Sequence, residues 1–215
     1  MKYRNKKYPN SKALKKAHLN YPDIMSRGWE NYTIIKPRLQ ATLKDIPDGC
    51  NLLDVGCNSG EMGLMFQQVN GCKITGIDIS KKLVRLAKAK GINARVGDAE
   101  CLPFSSATFD CVYLGEMVEH SYNPDVVLIE ARRVLKPGGR LVGNTMNEAW
   151  FIAQGDKIQY HWDDTRLHAK AYSTVSMRKL LNRYFDNVSA YHLFYITSVG
   201  GEPNINSWIM FKGFK

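Results

Sequence analysis

Four acidic residues stand where apolar runs end. They are Asp54 in "LLDVGCNSGEMG" (52–63), Asp78 in "ITGIDIS" (74–80), Asp98 in "GDAECLPF" (97–104) and Glu116 in "FDCVYLGEMVEH" (109–120). The first leads straight into a loop holding Gly56, Gly60 and Gly63. Glycine loops after strands usually cradle phosphates, because backbone N–H groups at a helix N-terminus attract anions. A carboxylate at the mouth of such a cradle works against that use: it repels a pyrophosphate, and nothing nearby offsets the cost. The acid makes sense if the near end of the ligand is cationic. The glycine register also departs from a dinucleotide loop, since G-x-G-x-x-G would need glycines at 58, 60 and 63 and position 58 is Asn58. Asn tolerates left-handed backbone better than most residues, so the tight loop stays feasible.

S-adenosylmethionine (SAM) meets the charge requirement, with an ammonium, a sulfonium and no phosphate. Asp54 is expected to reach the ammonium, directly or through water. The backbone N–H groups of the loop near the helix N-terminus are expected to hold the methionine carboxylate, with Gly56, Cys57, Asn58 and Gly60 among the cofactor-binding residues. Asp78 lies 24 positions after Asp54, where an acid bonds ribose hydroxyls, with Ile79 beside it. Asp98 is placed to accept from the adenine amino group and the Ala99 N–H to reach a ring nitrogen. Glu116 opens the segment after the fourth strand, on the ligand side of the sheet. Each acid also has a plain structural reading, since Asp54 could cap the following turn and Asp78 could simply end a strand.

These positions require a particular scaffold. From residue 50 onward short apolar runs alternate with helical patterns, the signature of an α/β sheet. Strands are predicted at 51–55, 73–78, 93–98, 110–115 and 140–145, with two more at 188–196 and 207–213 closing the chain as a hairpin. Helices are predicted at 61–69, 81–90, 124–135 and 174–185. Ser80 and Ser173 serve as N-caps, Gly91 follows the second helix, and "KPGG" (136–139) forms a turn. Residues 1–49 read as a basic, mostly helical lid over one edge of the sheet, and 50–215 as the ligand-binding domain.

Taken in order, "LLDVGCNSG" (52–60), "ITGIDIS", "GDAECLPF", "FDCVYLGEMVEH", "VLKPGGRLV" (134–142) and "LHAKAYSTVSMRKLLNRYF" (167–185) resemble a class I SAM-dependent methyltransferase of the small-molecule type. The likeness spans roughly residues 50–195 and departs most clearly at Asn58, where many members carry Gly. It implies a Rossmann-like seven-stranded sheet of order 3-2-1-4-5-7-6 with strand seven antiparallel.

Methyl transfer from a sulfonium needs alignment of the acceptor behind the methyl carbon and, for an alcohol or phenol, removal of a proton. Glu116, Glu119 and His120 sit at i, i+3 and i+4, so a helix would set them on one face. Three readings remain open. Glu116 touches the cofactor while Glu119 and His120 orient the loop; or His120 is a general base tuned by Glu119; or the trio binds a divalent metal with His161 or His168. The pattern E-x-x-E-H resembles that of small-RNA 2′-O-methyltransferases and some quinone-biosynthesis O-methyltransferases, and is also common in relatives without metal. Our reading takes His120, Glu119 and, by the resemblance, His168 as the catalytic set, with no metal. The aromatic stretch 146–172 either walls a planar acceptor or packs onto the sheet.

Composition narrows the classes further. The chain has 215 residues, 44% hydrophobic and 23% charged, which is ordinary for a globular protein. No apolar run approaches the roughly 20 residues of a membrane helix, and "MKYRNKKYPN" lacks a signal-peptide core, so a cytoplasmic location is expected. Cys50, Cys57, Cys72, Cys101 and Cys111 form no CxxC pair, which argues for free thiols rather than a disulfide framework or zinc site. Net charge is +10, and residues 1–20 supply seven cations and no acid. That arm is either a solvated leader or a nucleic-acid contact. A small-molecule acceptor is favoured as partner over nucleic acid, a SAM-binding protein without chemistry is the further alternative, and oligomeric state is not legible.

Overall fold

The computed structural model describes residues 32–147, 169–170, 172–199 and 202–215. Its elements run α1 (Tyr32–Asp45), β1 (Asn51–Val55), α2 (Glu61–Asn70), β2 (Lys73–Asp78), α3 (Lys81–Ala89), β3 (Asn93–Val96), β4 (Phe109–Gly115), a 3₁₀ turn (Val118–His120), α4 (Pro124–Val134), β5 (Leu135–Met146), α5 (Thr174–Leu181), β6 (Asp186–Val199) and β7 (Glu202–Phe214). The strands form one sheet of order β3-β2-β1-β4-β5-β7-β6. The first five are parallel to their neighbours, and β7 runs antiparallel to both β5 and β6. The strand order reverses between β1 and β4, so the crevice at their carboxyl ends is the switch point where α/β sheets bind ligands.

The apolar runs are continuous because both sheet faces are covered. On one face Leu53, Val55, Val112, Leu114 and Phe211 pack with Leu128 of α4 and with Met177 and Leu181 of α5. On the other, Leu52, Ile74 and Val142 pack with Phe66 of α2 and with Val84 and Ala87 of α3. Alternation along β1 puts Asp54 on the same side as Leu52, under α2. The caps are as the sequence indicates: Ser80 Oγ accepts from Leu83 N–H at 3.3 Å, and Ser173 forms a reciprocal capping box with Ser176.

Three elements differ from their expected bounds. The "KPGG" turn is absorbed into β5 as a bulge, with Gly138 at φ 74° and the pairing with β4 shifting between Phe109 and Cys111. Lys215 N–H donates to Gly139 O and accepts in turn from Gly138 N–H through its carbonyl, which zips the end of the chain onto that bulge. Helix α5 stops at Leu181, where two successive amides, of Tyr184 and Phe185, fold back onto the Leu181 carbonyl. The β6–β7 hairpin extends beyond the rest of the sheet, since β7 meets β5 only from Trp208 to Phe214. Of the predicted N-terminal lid, α1 is described, and residues 1–31 with the basic arm lie outside the described residues.

Candidate functional site

Asp54 ends β1 only 2% exposed, and its Oδ2 has no hydrogen-bond partner among the described residues. Burial, then the facing Asp78 and Glu61, push its pKa up to about 7. A buried carboxylate between two more acids is costly unless it meets a cation or a donor. The chain spends stability here on a group that the fold itself does not use.

The loop between β1 and α2 is held by its own atoms. Gly56 and Cys57 N–H both donate to Ile77 O, at 2.8 and 3.0 Å. Asn58 N–H donates to Asp78 Oδ2 at 3.0 Å, Ser59 N–H to Asn58 Oδ1 at 2.7 Å, and Gly60 N–H to Cys57 O at 2.9 Å. Every amide from 56 to 60 is therefore committed inside the protein. These five amides shape the loop. Three left-handed residues, Gly56 at φ 76°, Asn58 at φ 50° and Gly60 at φ 89°, curl the loop back on itself. The amides left over are those of the first turn of α2, which have no intrahelical acceptor. Gly60 has no room for a side chain either: an added Cβ would stand 3.0 Å from Ile92 and 3.1 Å from Ala87.

Asp78 ends β2 and clamps this loop. Its Oδ1 accepts from Ser80 N–H at 2.8 Å and its Oδ2 from Asn58 N–H. Burial raises its pKa against the pull of those donors. Each oxygen keeps a second lone pair for a hydroxyl donor. Ile79 follows, half-buried. Asp98 closes the next turn, accepting from Glu100 N–H at 2.9 Å, with half-buried Ala99 at its apex. Asp54, Asp78 and the Asp98 turn thus line the carboxyl ends of β1, β2 and β3 in order.

On the other side of the switch point the sequence reading needs revision. Residues 116–120 are not one helix. Glu116 takes a left-handed backbone at φ 51°, and only Val118–His120 make a 3₁₀ turn. The shared face expected of Glu116, Glu119 and His120 is therefore lost. Glu119 turns inward, 1% exposed, with its carbonyl accepting from Ala169 N–H at 2.7 Å and Lys170 N–H at 3.2 Å. His120 is half-buried, its N–H on Met117 O. Glu116 forms an ion pair with Arg38 of α1. Among the described residues no three His, Cys, Asp or Glu side chains are disposed to hold a metal ion. His161 and His168, with most of the aromatic stretch, lie outside the described residues.

Arg38 is the residue that sequence reasoning missed. Its guanidinium lies 4.1 Å from the centre of the Trp208 ring as well as against Glu116. Burial opposes its charge, but Glu116 together with Tyr113 and Tyr195 offsets this and holds the guanidinium pKa above its ordinary value. One turn on, Thr42 Oγ1 accepts from Asn144 Nδ2 at 3.3 Å, and that same amide donates to Tyr113 Oη at 2.8 Å. A further turn on, Asp45 accepts from Lys212 Nζ at 2.5 Å. Arg38, Thr42 and Asp45 are spaced i, i+4 and i+7, one stripe of α1 fastened to β4, β5 and β7. The signal in the sequence was a polar stripe beside buried Leu39 and Ile46.

Known proteins share this frame. A family described as a methyltransferase domain matches residues 53–143. An uncharacterized protein of Methanocaldococcus jannaschii is 31% identical over 166 residues, covering 75% of this chain and 76% of that one. The 27-O-demethylrifamycin SV methyltransferase of Amycolatopsis mediterranei is 35% identical over 132 residues, 58% of this chain but 48% of its own length. This chain thus spans about half of that named relative. Among solved structures, a SAM-dependent methyltransferase from Thermotoga maritima, titled a possible histamine N-methyltransferase, superposes with a TM-score of 0.70 at 17% identity, covering 91% of this chain and 98% of that one. With the strand order, the matched domain and a relative alike over three quarters of its length, the chain belongs to the class I SAM-dependent methyltransferases.

Proposed function

We propose that the protein transfers a methyl group from SAM to an oxygen or nitrogen of a small-molecule acceptor. The observation that carries this reading is Asp54, a buried carboxylate with an unpartnered oxygen at the switch point, between two further acids. That arrangement favours a cationic ligand and disfavours a dinucleotide.

Asp54 would hold the ammonium, and Asp78 would take the ribose hydroxyls on its remaining lone pairs. The Asp98–Ala99 turn would meet the adenine, and the free amides of the first turn of α2 would meet the carboxylate. SAM supplies an already activated methyl group. What remains for the protein is to orient the acceptor and remove a proton, worth about 7–11 kcal/mol and 10²–10⁴-fold in favourable cases. His120, at the end of β4 where the acceptor would approach, is the base of this proposal, and Glu119 fixes its turn. Arg38 on Trp208, with Glu116, forms a wall of the acceptor pocket, and α1 covers it as a lid.

Calorimetry with SAM and with S-adenosylhomocysteine tests the donor half: micromolar binding is expected, with no heat from NAD. A screen of small alcohols, phenols and amines with labelled methyl donor tests the acceptor half. Label appearing only on RNA, with binding that falls steeply as salt rises, would replace the small molecule with a nucleic acid.

A further inference from the structure

Three thiols meet at the far end of the sheet from the switch point. Cys50 precedes β1, Cys72 precedes β2, and Cys111 lies in β4, where it pairs with Leu52. By strand alternation all three point to the α2–α3 face, and all three are buried there, at 6%, 2% and 0% exposure. Cys50 Sγ lies 3.3 Å from Cys72 Sγ. A bond of about 2.05 Å needs an approach of little more than an ångström, and adjacent parallel strands already hold the two backbones within disulfide reach. Lys73 N–H on Cys50 O at 2.9 Å fixes that neighbourhood. The cluster does not meet the geometry of a metal site. It lies roughly 13 Å from Asp54 along β1, at the opposite end of the strand from the switch point.

We propose that Cys50 and Cys72 are a built oxidation site, which hydrogen peroxide converts to a disulfide enclosing the whole β1–loop–α2 unit. The Cys50 thiolate attacks the O–O bond, giving a sulfenic acid and releasing water once the leaving hydroxide is protonated. The Cys72 sulfur then displaces the sulfenic oxygen, forming the S–S bond and releasing a second water. Two thiols are oxidised by two electrons, and one hydrogen peroxide is reduced.

The division of roles follows from what surrounds each sulfur. The neighbouring Cys111 and Cys72 thiols outweigh burial and lower the Cys50 pKa to about 7, while the Cys72 thiol also lies 3.3 Å from Pro47 O as a donor. Burial and the Cys50 charge push Cys72 up to about 12, and the bond to Cys50 pushes Cys111 well above the usual thiol value. The other charges facing the trio are Asp110, which opposes the Cys50 thiolate, Asp48 beside Cys72, and Arg140, which draws Cys111 down. The geometry agrees: Cys50 is the least buried of the three cysteines and the one a peroxide reaches first, and Cys72, 3.3 Å away, is the thiol in line to resolve it. Cys57 and Cys101 lack this arrangement. Burial drives the Cys57 thiol up in the cofactor loop, and Cys101 is exposed.

The test uses the full chain treated with dilute hydrogen peroxide, then denatured, alkylated and mapped by mass spectrometry. Expected are a loss of 2 Da, a Cys50–Cys72 peptide, three alkylatable thiols instead of five, and full reversal by dithiothreitol. In Cys72→Ser, dimedone should trap a sulfenic acid at Cys50. In Cys111→Ala, oxidation should slow by at least about 3-fold, and in the native protein its rate should climb as pH rises through about 7. Oxidation confined to Cys101, or five free thiols after treatment, would overturn the proposal, and both outcomes are read on the native sequence without any variant.

Discussion

The two halves of the sheet's carboxyl edge hold their polar groups by different means. In the β1–β3 half the partners are near in sequence. Asn58 and Asp78 are 20 residues apart, Asp78 and Ser80 two apart, Ser59 and Glu61 two apart. In the β4–β7 half Arg38 and Glu116 are 78 apart, Asn144 and Thr42 are 102 apart, and Asn144 and Tyr113 are 31 apart. The first half is a preassembled cradle in which one carboxylate is left over. The second exists only when an N-terminal helix has docked. A shared cradle with a variable cover is what a family needs if it keeps one methyl donor and changes acceptors.

The largest expected effect breaks the first half. Asp54→Asn should abolish measurable SAM binding, at least about 100-fold by calorimetry, because the ammonium loses its charged partner. The same change should not weaken the ligand-free fold. A carboxylate whose folded pKa is raised costs stability progressively across the pH range where the unfolded chain is ionised and the folded one is not, and the accumulated cost persists above that range. That cost is absent below about pH 4, grows as pH rises, and is fully present above about 7. At pH 8 the Asn variant should therefore gain up to roughly 2–4 kcal/mol in urea unfolding, and nothing at pH 4. A loss of stability at pH 8 would mean that Asp54 is structural, and the contrast between the halves would vanish.

The same acid gives the second prediction. Free Asp54 titrates near 7, and the cationic ligand selects its ionised form. SAM affinity should rise about 10-fold between pH 6 and pH 7.5 and then level off, with a proton released on binding. Calorimetry in buffers of different ionisation heat measures the proton directly. Unchanged affinity across that range would place the ammonium elsewhere.

The third prediction breaks the second half. Arg38→Ala removes the Glu116 partner and the stacking on Trp208. With Glu116 38% exposed at its side chain, solvent moderates the loss to about 1–2 kcal/mol of stability. SAM affinity should change by less than about 3-fold while methyl transfer falls at least about 10-fold. Arg38→Lys should recover stability better than rate, because an ammonium cannot both stack and pair as a planar guanidinium does. Equal losses of SAM binding and turnover would show that the two halves are one unit.

The same contrast explains what was legible. Asp54, Asp78, Asp98 and their loops could be read because strand end, acid and turn lie within one motif, and the alternation of apolar runs with helical patterns places the motifs along one edge. The position of Glu116 just past β4 was legible for the same reason, but its partner was not, since nothing within 70 residues of Glu116 points to Arg38. The helical reading of 116–120 failed because spacing cannot reveal a left-handed residue: Glu116 at φ 51° breaks the period. The internal bonding of the loop was not legible because the acceptors of its first three amides, Ile77 O and Asp78 Oδ2, belong to a strand that reaches them only after folding.

The smallest expected effect concerns Asn58, the non-glycine residue that takes a left-handed backbone in this loop. Its φ of 50° costs an ordinary side chain about 1–2 kcal/mol, and Asn reduces that by bonding locally. Its Oδ1 accepts from Ser59 N–H at 2.7 Å and from Ser59 Oγ at 3.3 Å. Asn58→Gly gives up those acceptors, relieves the backbone and loosens the unfolded chain, so its net effect should stay within about 0.5 kcal/mol. Asn58→Ala gives up the acceptors without relieving anything and should cost about 1–2 kcal/mol. SAM affinity should move by less than about 3-fold in the Asn58→Gly variant, since the Asp78 clamp acts through the backbone amide that either residue supplies. If the alanine and glycine substitutions destabilise equally in urea unfolding, the left-handed turn is not what selects the residue at 58. The cradle would then owe its shape to Ile77 and Asp78, and the near-in-sequence half would be less self-sufficient than its short-range bonds suggest.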